Sequence, residues 1–474
     1  MKTIKTDVCV IGGGSGGLSF AAGAVQMGAK VVLCEGNKMG GDCLNYGCIP
    51  SKALIEASRI IYYTKQAAKF GIDMSQPYAD FARVHQHIQK VIAAIEPHDS
   101  VDRFESLGVT VIKSMASFID DKTVQTDECL IQAKYFVLAT GSRPRIFAID
   151  GLETTDYLTN ETIFDLKEKP EHLLVVGGGP IGVEIAESYA LLGTKVTIFE
   201  TANSILNSVD DDCKKVVISV FEKLGIKIIT NVNITNFSTD GKIKTVHYKH
   251  NNEHHKLSFS HILMATGRIP NLEHLRLEKA NIQYTKMGIS VDQRLRTNHK
   301  HIYAIGDLAS PYQFTHVANY HAGIAIQNIL FKIPAKVNYK SLPWVIYTTP
   351  EIAQSGINLT VAAKQGATIL NFPYKDNDRA QAALRTEGLI KIAVDKSGNI
   401  LGVSIVGESA GELISQWSMA IKNKLKIKHM ANFIAPYPTL SEMNKRIAGQ
   451  FFTPLLYSRK IQYLVRLLLK LKWF

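Results

Sequence analysis

The sequence predicts an α/β protein built on two βαβ units. Three observations lead there: a glycine pattern written twice at a constant offset, apolar strands flanking each copy, and a length of 474 residues, enough for about three domains. Residues 12–35 read "GGGSGGLSFAAGAVQMGAKVVLCE" and residues 177–200 read "GGGPIGVEIAESYALLGTKVTIFE". Gly12, Gly14, Gly17, Gly28, Lys30 and Glu35 return as Gly177, Gly179, Gly182, Gly193, Lys195 and Glu200, each 165 positions later. Each copy runs from an apolar strand through a glycine turn into a helix of small and apolar residues. A closing glycine and a second apolar strand ending in glutamate follow.

The spacing has a physical reason. The first glycine makes a tight turn, the second lets backbone N–H groups approach a pyrophosphate, and the third lets helix and strand pack closely. The phosphate then rests on a helix N-terminus. Two such fingerprints in register, each with an acid 18 residues past its last glycine, predict two Rossmann-like dinucleotide-binding domains. A carboxylate at that strand end accepts from ribose hydroxyls and would repel a 2′-phosphate. "TANSILNS" follows Glu200 without arginine or lysine, so NADH is expected over NADPH in the second site.

Two further echoes, "LATGSRP" at 138–144 and "MATGRIPN" at 264–271, follow apolar strands and would return the chain to the first nucleotide domain. Residues 151–269 then form an inserted copy. "TNHKHIYAIGD" at 297–307 ends another strand in Gly306 and Asp307, suiting a carboxylate aimed at a sugar-like polyol, or else a turn with a capping aspartate.

"GGDCLNYGCIPSK", residues 40–52, sets Cys43 and Cys48 five positions apart. In a regular helix that separation is at least about 7.5 Å, beyond ordinary disulfide reach. A bond requires a bent entry, which Gly47 and Pro50 supply, with Pro50 suited to the first helical turn. Cys48 would stand near the helix N-terminus, where the dipole favours thiolate. A zinc site would want a further ligand pair at recognisable spacing, and none stands nearby, so no metal site is expected. A static bridge would be unusual in a reducing compartment. A redox-active pair beside a bound flavin fits best.

Together, "GGDCLNYGCIPSK", both glycine fingerprints, both "ATG" segments, "AIGD" and the late "YTTPEIAQSG" resemble the class I pyridine nucleotide-disulfide oxidoreductases. These flavin disulfide reductases include dihydrolipoamide dehydrogenase, glutathione reductase and mercuric reductase. The resemblance covers residues 5–450. It implies an FAD domain over 1–150, an NAD domain over 151–269, a return to the FAD domain over 270–338, an α+β dimerisation domain over 339–450 that builds a homodimer, and a basic amphipathic tail over 451–474. By the same resemblance, Gly12, Gly14, Gly17, Glu35, Gly41, Ala116, Thr140, Gly141 and Asp307 would hold FAD, with Glu35 on the adenosine ribose and Asp307 on the ribityl chain. Gly177, Gly179, Gly182, Glu200, Gly267 and Arg268 would hold NAD. Lys52, paired with Glu184, would serve the flavin N5 region; Cys48 would lie against the flavin and Cys43 would meet the substrate. The implied cycle runs from NADH to flavin, to the Cys43 and Cys48 disulfide, and on to a small acceptor such as a metal ion, a quinone or a disulfide.

In the dihydrolipoamide and glutathione enzymes a histidine, oriented by a glutamate, precedes a Pro-Thr pair near the C-terminus and shuttles protons from the partner subunit. Here the segment reads "IAPYPTLSEMNKR": Glu442 is present, and Tyr437 takes the histidine's place. Phenol and imidazole differ by about 3.5 pKa units, equivalent to about 5 kcal/mol for proton uptake near neutrality. Tyr437 is therefore expected to donate a hydrogen bond, or only to pack at an interface, and to be a poor general base. A tyrosine here is similar to mercuric reductases and soluble transhydrogenases, although the latter lack the complete cysteine pair. Mercuric reductases typically end in Cys-Cys, whereas this chain ends "KLKWF". The expectation is a mercuric reductase-like enzyme for a small acceptor. Dihydrolipoamide dehydrogenase is the alternative, and a non-catalytic redox-sensing flavoprotein is the alternative of another class.

The formal charge is +12, but Lys445, Arg446, Arg459, Lys460, Arg466, Lys470 and Lys472 lie in the last 32 residues, which hold no acid. No nucleic-acid reader motif accompanies the excess, so no nucleic-acid partner is expected. Six scattered cysteines do not make a secreted disulfide scaffold, and no signal-peptide core or spanning segment is legible. A cytoplasmic protein is expected. Cys9 and Cys34 read as inert core residues of apolar strands, while Cys129 and Cys213 carry no local signal. His247, His250, His254, His255 and His261 surround an "NN" that reads as a hairpin tip. In the tail, "YSRKIQYLVRLLLKLKWF" spaces Ile461, Leu464, Val465 and Leu468 helically among basic residues. Residues 457–474 would either dock on the dimer body or make peripheral contact with the inner face of the membrane.

Overall fold

The computed structural model describes residues 1–241 and 243–471; Lys472 and the aromatic end of the tail, Trp473 and Phe474, lie outside the described residues. The chain forms two compact units. One joins Met1–Ser204 to Ile228–Val337; the other joins Ile205–Lys227 to the chain from Asn338 onward.

In the first unit, strand Lys2–Ile11 ends in four buried residues, Val8 to Ile11. "VCVI" is an unbroken apolar run because both faces of a parallel sheet are covered. Val8 and Val10 point into one core with Phe20, Leu33, Val137 and Ile305; Cys9 and Ile11 point into the opposite core with Cys34, Phe136 and Leu138. Parallel neighbours are Val31–Cys34 and Cys129–Leu138, extended by Thr110–Ile112 and Ile302–Ala304. Two antiparallel strands, Thr123–Gln125 and Ser117–Asp120, complete the seven. Helices Ser15–Gln26 and Thr315–Ile329 pack together over this sheet.

The second glycine turn belongs to another parallel sheet, with His172–Val176 between Lys195–Phe199 and His261–Met264. Helix Pro180–Leu191 opens with proline in its first turn, where a missing N–H costs nothing. The histidine-rich run folds as the hairpin Ile243–His250 and Glu253–Phe259. Its tip residues Asn251 and Asn252 both have positive φ, 51° and 65°, as a type I′ turn requires. Ser142–Pro144 pairs antiparallel with Arg268–Pro270, so the segments following the two "ATG" echoes meet.

The second unit is a five-stranded antiparallel sheet in the order Pro343–Ile346, Glu351–Gly356, Ile400–Gly407, Leu389–Val394, Thr368–Pro373. Helices Ala410–Lys422 and Glu442–Gln450 pack against it; buried Trp417 donates from Nε1 to Asn444 Oδ1 at 2.8 Å. Ile205–Lys227, which the sequence reading places within 151–269, groups here. It carries helix Asp211–Lys223, and Lys391 binds its start through Asp210 (3.3 Å) and Asp212 (2.6 Å). No described helix is long and apolar enough to cross a membrane.

Candidate active site

The two glycine turns are built alike. Gly12 and Gly177 adopt φ of +110° and +113°, and a Cβ on either would meet the carbonyl oxygen of Ala139 at 2.4 Å or of Ala265 at 2.3 Å. Those alanines open the two "ATG" echoes, which explains why turn and echo recur together. Gly14 and Gly179 cap their helices with no side-chain bond, leaving first-turn N–H groups for an anion. Gly17 and Gly182 bring each helix onto its own turn. Glu35 accepts from the N–H groups of Gly13 and Asn37, both at 2.6 Å, and Glu200 from those of Gly178 and Ala202, both at 2.8 Å. Each turn thus offers an anion-ready helix start, a cradle without side chains and a carboxylate fixed at the end of the following strand. That set fits one dinucleotide at each glycine turn, both within the first unit.

The cysteine loop is clamped onto the first turn. Gly41 has φ +60°, and a Cβ there would lie 2.7 Å from Gly14 Cα; Gly40 N–H donates to Gly13 O at 2.9 Å. Cys43 rides on the short helix Gly41–Asn45, the chain bends at Tyr46 and Gly47, and Cys48 opens helix Cys48–Gln66 with Pro50 in its first turn. Both are free thiols joined by a hydrogen bond. Thr315 Oγ1, at the start of helix Thr315–Ile329, lies 3.2 Å from Cys48 Sγ. The bond between the thiols, together with burial, pushes the Cys43 pKa up. The same bond lowers that of Cys48 to about 6, aided by Thr315 and by the charge of Lys52 one turn along. These opposite shifts favour the thiolate on Cys48 and the proton on Cys43.

Lys52 Nζ lies 3.0 Å from Glu184 Oε2 on helix Pro180–Leu191. Asp307 accepts from Ser142 Oγ; burial raises its pKa, opposed by that bond and by Arg268. Arg268 donates to Ser142 Oγ and Ser142 O, each at 2.8 Å, and pairs with Asp42 Oδ1 at 3.1 Å. Arg268 and Asp307, assigned above to different cofactors, thus share one network that reaches the residue before Cys43. Thr140 Oγ1 donates to Asn271 O at 2.7 Å, and Asn271 N–H donates to Gly141 O at 3.0 Å. Gly267 O accepts from Arg145 N–H. Ala116 is buried in the core that holds Cys34, Ile112 and Phe118.

Sequence reasoning missed Asp42, Ser142, Asn160, Thr315 and His321. Asn160 Nδ2 donates to Asp42 Oδ1 and Tyr46 O, each at 3.1 Å. His321 is fully buried, and its Nδ1 accepts from Gly306 N–H at 3.0 Å, bracing the turn that presents Asp307; burial lowers its pKa to about 4.

In the second unit, Tyr437 is 70% exposed and donates to Asp378 Oδ2 at 3.1 Å, a bond that raises the phenol's pKa. Glu442 Oε1 lies 3.6 Å from Arg446 Nε, while its Oε2 is buried without a hydrogen-bond partner among the described residues.

Comparison with known proteins places this geometry. The family model for pyridine nucleotide-disulphide oxidoreductases matches residues 6–322, and that for their dimerisation domain matches residues 342–448. A mercuric reductase of Staphylococcus aureus is 32% identical over 449 residues, covering 94% of this chain and 82% of the relative. A dihydrolipoyl dehydrogenase of Geobacillus stearothermophilus is 33% identical over 453 residues, covering 93% and 95%. Among solved structures, the Cu(II) complex of the HOCl-induced flavoprotein disulfide reductase RclA from Escherichia coli matches with TM-score 0.86 at 26% identity, covering 94% of this chain and 99% of that one. LpdA from Mycobacterium tuberculosis matches with TM-score 0.87 at 26% identity, with the same coverage. The dimerisation-domain match supports a homodimer. Two glycine turns, a clamped dithiol and these matches make the chain a member of the pyridine nucleotide-disulphide oxidoreductase family, an FAD-dependent enzyme with a redox-active cysteine pair.

Proposed function

We propose that this enzyme draws electrons from NADH and delivers them at Cys43 and Cys48 to a small thiophilic metal ion, with dihydrolipoamide a poor substrate. Tyr437 carries the reading: oxidising a dithiol substrate requires a base to take its protons, and a phenol held protonated by Asp378 does not serve as one near neutrality. A metal ion asks for no such base. It asks for soft ligands, and a thiolate beside a thiol supplies them. A mercuric reductase among the relatives and a Cu(II) complex among the structural neighbours support a metal acceptor.

Bound FAD would relay electron pairs from nicotinamide to the sulfurs. The chain's own groups would position everything else. Glu35 and Asp307 would hold FAD, and Lys52, neutralised by Glu184, would face its reactive end. Glu200 would hold the nicotinamide cofactor's ribose, and the run after it, without basic residues, favours NADH over NADPH. At the acceptor end, closing the Cys43–Cys48 bond releases two electrons and the proton of Cys43. One divalent ion takes both electrons, or two ions take one each.

The test is an anaerobic acceptor panel of Hg(II), Cu(II), a quinone and lipoamide, plus dihydrolipoamide with NAD⁺ in the reverse direction, on wild type and Cys43→Ser, with NADH and with NADPH. Metal reduction that needs Cys43 and prefers NADH is expected. Dihydrolipoamide turnover exceeding metal reduction would overturn the proposal.

A further inference from the structure

Helix Arg459–Leu468 buries none of its residues. Turning 100° per residue, it gathers Ile461, Leu464, Val465 and Leu468 on one side and Arg459, Gln462, Arg466 on the other. Leu464, Val465 and Leu468 are 48%, 45% and 50% exposed, and the exposed apolar surface continues into Leu455, Leu456 and Tyr457 before the helix and Leu469 and Leu471 after it. Ser458 caps the start by accepting from Ile461 N–H, so local chemistry defines the helix. It begins 11 residues beyond the matched dimerisation domain, which ends at 448.

Charge identifies what covers this face. Lys460 borders the apolar strip, Arg459 and Arg466 stand on the far side of the helix, Lys470 follows its end, and no acid follows Glu442. A second copy would bring one acid-free basic segment against another, whereas an anionic bilayer offers phosphates to the basic residues and hydrocarbon to the strip. Ten residues span about 15 Å, half the roughly 30 Å hydrocarbon core, so the helix can lie in the interface but not cross it. We propose that residues 457–471 anchor the enzyme peripherally on anionic lipid, with helix Arg459–Leu468 lying in the membrane plane.

The test is co-sedimentation of the full-length holoenzyme with vesicles of phosphatidylcholine alone and of phosphatidylcholine with phosphatidylglycerol. Wild type, a deletion of 457–474 and the double substitution Leu464→Gln/Leu468→Gln are compared, with NADH turnover in solution as a folding control and light scattering for subunit number. Pelleting is expected only with the anionic vesicles, falling about tenfold or more in both variants and weakening with salt, with turnover and subunit number unchanged. No pelleting of wild type, pelleting that survives the deletion, or a deletion that changes subunit number would each overturn it, the last in favour of a second copy as the occupant.

Discussion

Lys52 Nζ and Glu184 Oε2 stand 3.0 Å apart although 132 residues separate them in the chain. The pair ties the helix opened by Cys48 to the helix opened by the second glycine turn. Glu184 is buried, and breaking an ion pair to a buried carboxylate is costly. The same lysine lowers the pKa of Cys48, so one ammonium links the helix of the second glycine turn to the cysteine pair.

The reduced enzyme should show a thiolate that forms as pH rises through about 6. The sign follows from the cause: neighbours that stabilise the anion lower the pKa, so thiolate disappears below that value and predominates at neutrality. Lys52→Met removes the cation and should move the midpoint up by roughly one unit, read from the pH dependence of alkylation under reducing conditions.

Tyr437→His restores an imidazole at the surface of the dimerisation domain. Dihydrolipoamide oxidation should rise by about 10²-fold or more, while metal-ion reduction stays within about twofold because it requires no base at that position. Steady-state kinetics with the two substrates on both proteins measures the contrast.

Glu200→Ser removes the carboxylate fixed by Gly178 and Ala202. Losing charged hydrogen bonds to ribose should lower kcat/KM for NADH by about tenfold or more. Activity with NADPH should hold or improve, because the repulsion of its 2′-phosphate goes too.

His321 should make the enzyme sensitive to acid. Its folded pKa, about 4, lies below the ordinary value near 6.5, so burial favours the neutral ring. That stabilisation is complete above about pH 6.5 and is lost as pH falls toward 4. His321→Gln should flatten the decline of Tm between pH 6.5 and 4, at a cost of about 1–3 kcal/mol at neutral pH where the bond to Gly306 is lost or misaligned.

Much of this arrangement was legible in the sequence because it rests on local backbone demands. Gly12 and Gly177 must be glycine where the turn meets a carbonyl, so their spacing announces both nucleotide folds, and Gly47 with Pro50 announces the bend that brings two cysteines together. The asparagines at the hairpin tip announce a turn for the same reason. Thr315, 267 residues from Cys48, and His321 carry no comparable signal: an ordinary threonine and histidine gain their roles from the helix packed across the sheet. Asp42 lies within the cysteine motif, but its partner Arg268 comes from another strand and no spacing reveals the pair. Lys391, which Asp210 and Asp212 meet within the second unit, likewise stands far along the chain.

Anaerobic reductive titration of the purified holoenzyme with dithionite tests the relay of electrons through Cys43 and Cys48 most directly. Uptake of about four electrons per bound FAD is expected, two for the flavin and two for the disulfide, with Cys43→Ser falling to about two. Wild type saturating at about two electrons per FAD would contradict it.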